Sequence, residues 1–393
     1  MQNFQFYSPT KVYFGKDSVQ HVGQAVRSFG GKHILLHYGS DRVLKNGLMD
    51  RVVASLNEQG LTHVMLGGVV PNPRVSLVEQ GAALVKAEGI DFILAVGGGS
   101  VIDSAKGIAM AAVNDCAIWD IYARKAELKA ALPTGNVLTL AAAGSETSNG
   151  TVLTNEENWA KVGFGHELLR PTFTIMDPEF QFTLPPYQTA SGIVDIMVHT
   201  FERYFSHSGA NELTDRLAEQ VLKVTMRYGA LCMEQPDNYE ARSELLWAGS
   251  LSHNDLTGLG RPGDWAVHDL EHELSAKYDV THGAGLAAIW ASWARYVYKN
   301  DVMRFARYGV NVFGLPMDFI NPENTALEAI RRTEAYFESI QMPTSITALV
   351  GRAISDEDKV DMARRASHGD TSTLGNFQVL NQQMMLDIYR MAD

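Results

Sequence analysis

The chain has 393 residues, 46% of them hydrophobic and 20% charged, which is the balance of a globular protein and not of a disordered or fibrous one. Its length favours two domains over a single core. The formal net charge of -12 provides no basic surface for a phosphate backbone, so we expect no nucleic-acid partner.

The N-terminal segment, Met1 to Thr10, lacks the basic start and apolar stretch of a signal peptide. Nowhere in the chain does an apolar run approach the roughly eighteen residues needed to cross a membrane. We therefore expect a cytoplasmic protein without a membrane partner.

The first half alternates short apolar runs with stretches of helical period, which predicts a parallel sheet covered by helices. Turn signals such as Pro71-Asn72-Pro73 follow the runs closely. The predicted strands are Lys32 to Leu36, His63 to Leu66, Phe92 to Val96 and Asn136 to Leu140.

A glycine turn, Gly97-Gly98-Gly99, follows the third predicted strand and opens a predicted helix. Glycines let the backbone approach a pyrophosphate, and the helix N-terminus offers it free N–H groups and a positive dipole end. Ser100 suits the helix cap, and Asp103 stands where the acid of a capping box would stand. The context predicts nucleotide binding without identifying the nucleotide.

After Thr183-Leu184-Pro185-Pro186 the pattern changes to long segments of helical period. We predict an α/β dinucleotide-binding domain, Rossmann-like with a parallel sheet, over residues 1-184, and an all-helical metal-binding domain over residues 185-393. The predicted helices of the second half are roughly Gln188 to Phe205, Asp215 to Leu231, Ala241 to Asn254 and Asn324 to Gln341.

Asp195 and His199 stand four residues apart in an otherwise apolar helical segment, on one helix face. Burying an unpaired carboxylate costs several kcal/mol, on the order of the penalty for a desolvated charge. Asp195 therefore requires a cation or dense hydrogen bonding, and a salt bridge with His199 is the simpler alternative.

A literal GxGxxG occurs at Gly258-Leu-Gly260-Arg-Pro-Gly263. It lies between helical segments with no preceding strand, so the context that gives this pattern its meaning is absent. We interpret it as an interhelical turn, with Asp264 or its neighbours starting the next helix.

Three further histidines, His268, His272 and His282, follow within fifteen residues of one another. Taken singly, each is more typical of a hydrogen-bonded core or surface residue. One aspartate and three histidines together make a plausible set for Fe(II) or Zn(II). Cys116 and Cys232 are the only cysteines, so a cysteine-rich zinc site is excluded. His207 and His253 have no equivalent partner in the sequence, and we expect them to be structural.

With these motifs the chain resembles the iron-containing, or group III, alcohol dehydrogenase family, especially its butanol dehydrogenase and NADPH-dependent aldehyde reductase branch. The resemblance covers nearly the whole chain. The motifs that carry it are Phe14-Gly15, Pro71-Asn72-Pro73, Gly97 to Ser100 with Asp103 and Lys106, Gly144-Ser145-Glu146, Asp195 with His199, and Gly263-Asp264-Trp265 through Gly285.

The resemblance implies a dehydroquinate synthase-like fold and a homodimer. It also implies roles for individual residues of the metal and coenzyme sites. Asp195, His199, His268 and His282 take the metal-ligand positions, and His272 matches a nearby non-ligand histidine that relays protons. The glycine turn and Ser100 bind the pyrophosphate of NAD(H) or NADP(H). Further cofactor-side positions are Asn72, Thr139, Leu140, Ser145 and Lys161.

Two motifs depart from the family pattern. Thr139-Leu-Ala-Ala-Ala-Gly-Ser145-Glu146 lacks a glycine and a hydroxyl found beside the nicotinamide in relatives. Tyr38-Gly39-Ser40-Asp41-Arg42 replaces the Tyr-Gly-Gly-Gly-Ser of NADPH-binding members. Asp41 would repel a 2′-phosphate and favour NAD, whereas Arg42 would pair with one and favour NADP.

The predicted reaction interconverts a small primary alcohol and its aldehyde by hydride transfer, with the metal binding the substrate oxygen. The alternatives are a polyol dehydrogenase of the glycerol type, a lyase resembling dehydroquinate synthase, and a non-catalytic nucleotide-binding protein. The first two typically use three protein ligands, so a fourth candidate ligand speaks against them.

Overall fold

A computed structural model describes residues 1–207 and 211–393 of the chain, which form two units. The sheet unit contains Tyr7–Leu184 and Asp237–Ser250. The helical unit contains Met1–Phe6, Pro185–Pro236 and Leu251–Asp393. The main division thus falls after Leu184, but residues 1–6 and 237–250 lie outside the ranges predicted for their units.

The segment 237–250 belongs to the sheet unit through side-chain contacts that a periodic pattern does not reveal. The backbone N–H of Lys16 donates to the Tyr239 hydroxyl at 3.1 Å, and the Ser250 hydroxyl donates to the buried carboxylate of Glu146. Helical periodicity shows that a segment is a helix, but not which neighbour it packs against.

The sheet unit contains a six-stranded parallel sheet and a separate antiparallel hairpin, β6–β7, so the predicted fold class is confirmed. The order across the sheet is β1-β8-β5-β4-β2-β3. In chain order the strands are β1 (Lys11–Phe14), β2 (His33–Tyr38), β3 (Thr62–Leu66), β4 (Phe92–Gly97), β5 (Thr134–Leu138), β6 (Gly150–Asn155), β7 (Ala160–Gly165) and β8 (Phe173–Met176).

The predicted strands correspond to β2, β3, β4 and β5, with ends shifted by at most two residues. β4 is buried along its whole length, as expected for a central parallel strand covered on both faces. The helices of this unit up to Leu184 are α1 (Val22–Ser28), α2 (Arg42–Lys45), α3 (Leu48–Glu58), α4 (Val75–Glu88), α5 (Gly99–Ala111) and α6 (Ile118–Tyr122).

The remaining helices follow the Pro185-Pro186 pair, whose second proline occupies the first position of α7, where a missing N–H costs nothing. No helix of the described residues combines the length and apolarity needed to span a bilayer. These helices are α7 (Pro186–Tyr204), α8 (Glu212–Glu234), α9 (Tyr239–His253), α10 (Ala266–Tyr278), α11 (His282–Val297), α12 (Val302–Phe313), α13 (Pro322–Ser339), α14 (Ile346–Val350), α15 (Asp356–Ala366) and α16 (Gln382–Met391).

The GxGxxG segment is an interhelical connection between α9 and α10. Gly260 has a φ of +74°, and the buried Arg261 donates to Asp215 at 2.5 Å. A buried arginine paired within the helical unit serves packing, and the pattern has no strand before it.

Candidate metal and nucleotide sites

The turn between β4 and α5 is the predicted phosphate cradle. A Cβ added at Gly98 would lie 3.3 Å from the Leu140 Cβ, and one at Gly99 would lie 3.1 Å from the Ala143 Cβ. The glycines therefore allow the turn to pack closely against the segment after β5. The predicted capping role of Ser100 is wrong, because α5 begins at Gly99 and its N-cap is Gly98, with no side-chain cap.

Three adjacent strands, β2, β4 and β5, end at the same edge of the sheet. Tyr38 pairs with Val96, Gly97 pairs with Leu138, and the Thr139 N–H donates to the Gly97 carbonyl at 3.0 Å. β2 connects outward to β3 and β4 connects the other way to β5, so this edge contains a topological switch point, where α/β sheets bind ligands. The predicted cofactor residues that the structure gathers here are Gly39, Ser40, Asp41, Gly97, Gly98, Gly99, Ser100, Thr139 and Leu140.

Asp103 joins α5 to the segments that follow β5. Its Oδ1 accepts the Ser145 hydroxyl at 2.6 Å, and its Oδ2 accepts the Val152 N–H at 3.0 Å. The capping-box role predicted for Asp103 is therefore wrong, because its carboxylate is engaged with the loop and the hairpin. Asp103 supports Ser145, another predicted cofactor-side residue.

Lys106 holds the same loop from one turn further along α5. Its buried ammonium donates to the carbonyls of Ser145, Ser148 and Gly150 at 2.7, 3.0 and 2.7 Å, and to the Ser145 hydroxyl at 3.0 Å. Burial lowers the pKa of Lys106 to about 8, against the opposing charges of Asp103 and Glu146. No role for Lys106 was predicted from the sequence, although a lysine in an apolar helix is a signal of a buried polar network.

Asn72 and Lys161 both lie beside β6. The residue after Asn72, Pro73, accepts the Thr154 N–H at 2.8 Å, and Thr154 is the register partner of Lys161 in the hairpin. Asn72 is buried and has a φ of +56°, which asparagine tolerates better than most residues. Their cofactor roles stay predictions.

The candidate ribose-discriminating residues differ in their surroundings. Asp41 is exposed at the start of α2. The Arg42 guanidinium donates to the Thr183 hydroxyl at 2.5 Å. Arg42 is therefore already engaged with a polar partner, whereas Asp41 faces solvent.

In the helical unit, Asp195 and His199 are both buried on α7. The Asp195 Oδ1 atom lies 2.8 Å from Nδ1 of His199 and 3.9 Å from Nε2 of both His268 and His282. Ligand atoms of Asp195, His268 and His282 lie within 4.8 Å of one another. Residues on α7, α10 and α11 thus converge on one point.

The fourth predicted ligand, His199, adjoins this group without joining it. Its Nδ1 lies 3.0 Å from the Asp195 backbone carbonyl, and its ring centroid lies 4.4 Å from that of His268. Burial lowers the pKa of His199 to about 4, so the ring is neutral at pH 7, as a metal ligand must be.

The donor set fits a metal ion, as two buried atoms indicate. In residues 1–207 and 211–393, neither the Asp195 Oδ1 nor the His268 Nε2 makes a hydrogen bond of acceptable geometry, even though Nδ1 of His199 lies 2.8 Å from the Asp195 Oδ1, and both atoms are shielded from water. Orphaned buried polar atoms are rare in folded proteins, and a cation between them would satisfy both.

The acids that hold these histidines were not predicted from the sequence. The Nδ1 of His268 donates to Glu202 on α7 at 3.0 Å, and the Nδ1 of His282 donates to Glu271 on α10. Burial alone would lower the pKa of His268, but the nearby carboxylates of Asp195 and Glu202 raise it to about 9. The sequence did hold a signal for Glu202, since this acid follows His199 by three residues on the buried face of α7.

His272 and His253 are the other histidines near the centre. The ring centroid of His272 lies 5.8 Å from that of His282, and its Nδ1 lies 3.9 Å from Asp269. His253, which the sequence left without a partner, packs edge-on against His199 with centroids 4.2 Å apart.

Comparisons with known proteins give one result across the chain. A family model for iron-containing alcohol dehydrogenases matches residues 9–178, and the model for the C-terminal part of that family matches residues 189–392. The NADH-dependent butanol dehydrogenase A of Clostridium acetobutylicum is 39% identical over 393 residues, covering 99% of each chain. The NADPH-dependent aldehyde reductase YqhD of Escherichia coli is 34% identical, covering 88% of this chain and 89% of the relative.

A solved structure gives the same result. The NADH-dependent butanol dehydrogenase A of Thermotoga maritima superposes with a TM-score of 0.95 at 35% identity, covering 100% of this chain and 99% of the other.

Proposed function

The chain belongs to the iron-containing alcohol dehydrogenase family and is an NAD(P)-dependent oxidoreductase, and we propose that it reduces small aldehydes to primary alcohols with NADH. The observation that carries this proposal is the convergence of Asp195, His268 and His282 around two buried polar atoms without partners. The reaction is reversible: aldehyde, NADH and a proton give alcohol and NAD⁺.

We propose iron as the metal, held by Asp195, His268 and His282, with the adjoining His199 as the fourth ligand. One carboxylate and neutral imidazoles suit Fe(II), and they also suit Zn(II). The family supports iron. When bound, the metal supplies Lewis-acid polarisation of the substrate oxygen.

The residues at the sheet edge where the coenzyme would bind favour NADH over NADPH. The exposed carboxylate of Asp41 would accept ribose hydroxyls and repel a 2′-phosphate, while Arg42 is engaged by Thr183. The Clostridium and Bacillus subtilis relatives that are 39–40% identical over almost the whole chain bear the name NADH-dependent butanol dehydrogenase. These names also favour a primary alcohol over the polyol alternative.

The protein's own groups position the coenzyme and handle the proton. The glycine turn and the N-terminus of α5 bind the pyrophosphate, and Lys106 with Asp103 fixes the loop that carries Ser145. Each hydride transferred to an aldehyde requires one proton at the new alcohol oxygen. We assign its delivery to His272, which borders the ligand His282.

We further propose a cytoplasmic homodimer. β1 lies at an edge of the sheet, where a strand offers unpaired N–H and C=O groups to another chain. Cys116 and Cys232 are both free thiols, in keeping with a reducing compartment. Sedimentation of the purified protein measures the oligomeric state.

The test is metal analysis of purified protein followed by hydride-transfer assays with butanal, using NADH and NADPH separately. We expect stoichiometric metal and faster turnover with NADH. Glycerol with NAD⁺ serves as the comparison substrate. Activity on glycerol alone would replace the proposal with a polyol dehydrogenase, and no activity with either coenzyme in iron-loaded protein would refute it.

A further inference from the structure

Two buried glutamates connect the helices of the metal centre in series. Glu202 lies on α7 and holds His268 on α10, and Glu271 lies on α10 and holds His282 on α11. Each acid therefore lies on a helix that comes earlier in the chain than the helix of the histidine it holds.

The contact from Glu202 is doubled. Its Oε1 accepts both the backbone N–H and the Nδ1–H of His268, each at 3.0 Å. The backbone carbonyl of Glu202 also accepts the N–H of Asp264 at 2.7 Å, just before α10 begins. This bonding fixes both the start of α10 and the plane of the His268 ring.

The acids determine which ring nitrogen of each histidine carries the lone pair. A carboxylate only accepts, so Nδ1 of His268 and Nδ1 of His282 must carry protons. The remaining nitrogens, both Nε2, lie 3.9 Å from the same Asp195 oxygen. Once metal binding has displaced any proton on Nε2, the Nε2 lone pair of each histidine is the one available as a ligand.

Burial shows that these acids contribute more than packing. Glu202 is 1% exposed and Glu271 is 0% exposed. The second oxygen of Glu202, Oε2, has no hydrogen-bond partner among the described residues. A neutral residue of similar size would avoid that desolvation cost, so the negative charge itself requires an explanation.

His199 provides an internal contrast. Its Nδ1 lies 3.0 Å from the backbone carbonyl and 2.8 Å from the Oδ1 of Asp195, one turn earlier on the same helix. His199 is therefore held from within α7, whereas His268 and His282 are each held by a glutamate on another helix.

We propose that Glu202 and Glu271 are positioning residues, which fix His268 and His282 in the tautomer that binds metal through Nε2 and strengthen both as donors. This inference rests on the proposed metal site. It adds that the site is built by two carboxylate contacts between helices, one from α7 to α10 and one from α10 to α11, which act on His268 and His282 and not on His199.

The test uses Glu202→Gln and Glu271→Gln, which keep side-chain shape and remove charge. Glu219→Gln is the control, since Glu219 is a buried acid of the same unit bound to Tyr204 and Arg307. Chelator competition measures Fe(II) affinity, and NMR of ¹⁵N-histidine in the zinc-loaded protein reports each Nδ1–H. We expect each test variant to lose about 10- to 100-fold in metal affinity.

The NMR readout is specific to each acid. Glu202→Gln should weaken the hydrogen-bond shift of the His268 Nδ1–H and leave that of His282 unchanged, and Glu271→Gln should do the reverse. Gly285→Ala gives an independent route, because a Cβ there would lie 2.7 Å from the Glu271 Oε1 and displace the carboxylate without removing it. It should act as Glu271→Gln does.

The outcomes separate this inference from the proposed function. Wild-type protein that binds neither metal would overturn the metal site and the inference together. Wild-type binding with variants that stay within twofold of it, or a control that loses affinity equally, would overturn the inference and leave the metal site intact.

Discussion

Gly283→Ala tests how closely the metal centre depends on helix packing. Gly283 follows the proposed ligand His282 in the first turn of α11, and a Cβ there would lie 2.0 Å from the backbone oxygen of Ser191 on α7 and 2.7 Å from its carbonyl carbon. Backbone atoms cannot rotate away as a flexible side chain can. The added methyl must therefore separate α7 from α11.

The displacement follows from the distances. Carbon–oxygen contacts in proteins begin at about 3.3 Å, so α11 must move from α7 by roughly 1 Å. Metal–ligand distances tolerate only about 0.2 Å, so His282 and Asp195 could no longer bind one ion without distortion. Overpacking costs about 1–3 kcal/mol. If that energy opposes metal binding, the affinity falls by about 5- to 150-fold.

Iron affinity measured by chelator competition, with thermal unfolding of the metal-free protein alongside, checks this expectation. Gly309→Ala is the matched control, because its Cβ would lie 3.0 Å from the Ala329 Cβ on the packing surface of α12 and α13. The control should lower stability and keep metal affinity within twofold. Undiminished iron binding by Gly283→Ala would refute the link between packing and ligand geometry.

Four further changes probe the two units. Asp195→Asn removes the negative charge of the carboxylate that lies near His199, His268 and His282, so we expect metal content to fall at least tenfold while the NADH affinity measured by titration stays unchanged; equal loss of both would contradict the placement of the two sites in different units. Asp41→Gly should raise NADPH use relative to NADH in steady-state kinetics, and a constant ratio would remove Asp41 from that role. Burial lowers the pKa of His37 from 6.5 to about 4 in the folded protein. Between pH 6.5 and pH 4 the unfolded chain therefore binds more protons at His37 than the folded protein does, and stability is lost as the pH falls through that window. Wild type should lose about 2 kcal/mol of unfolding free energy between pH 7 and pH 5 that His37→Gln does not lose, measured in urea, and parallel profiles would count against this. Lys106→Met leaves its buried acceptors unsatisfied and should lower the unfolding free energy by about 3 kcal/mol and weaken NADH binding, whereas wild-type affinity would show that the loop does not need the lysine.

The sheet was predictable wherever a strand was long and buried. β4 reads as a continuous apolar run followed by a glycine turn, and both features hold in the structure. β1 and β8 span four residues each, too few for a period to show, so the strand pattern did not reveal them. The hairpin β6–β7 also lacked a recognised turn signal.

Asp195 and His199 stood out in the sequence because they interrupt an apolar helix, and their role as metal ligands stays a prediction. The capping roles of Ser100 and Asp103 were mispredicted, because a capping pattern depends on the first helical residue, and α5 begins two residues earlier than a helix capped by Ser100 would. Glu202 and Glu271 also escaped prediction. Their function depends on which helices pack together, and contacts between residues far apart in the chain produce no regular spacing that a sequence pattern could reveal.

The short connection between α10 and α11 determines where this protein tolerates added length. Only residues 279–281 separate the two helices, Asp279 has a φ of +49°, and His282 opens α11. One inserted residue at the start of α11 would rotate its ring by about 100° around the helix. The connection between α12 and α13 carries none of the proposed ligands, and its Phe319 and Ile320 are exposed. Tags, loops and natural insertions should therefore accumulate there, while the α10–α11 connection keeps its length.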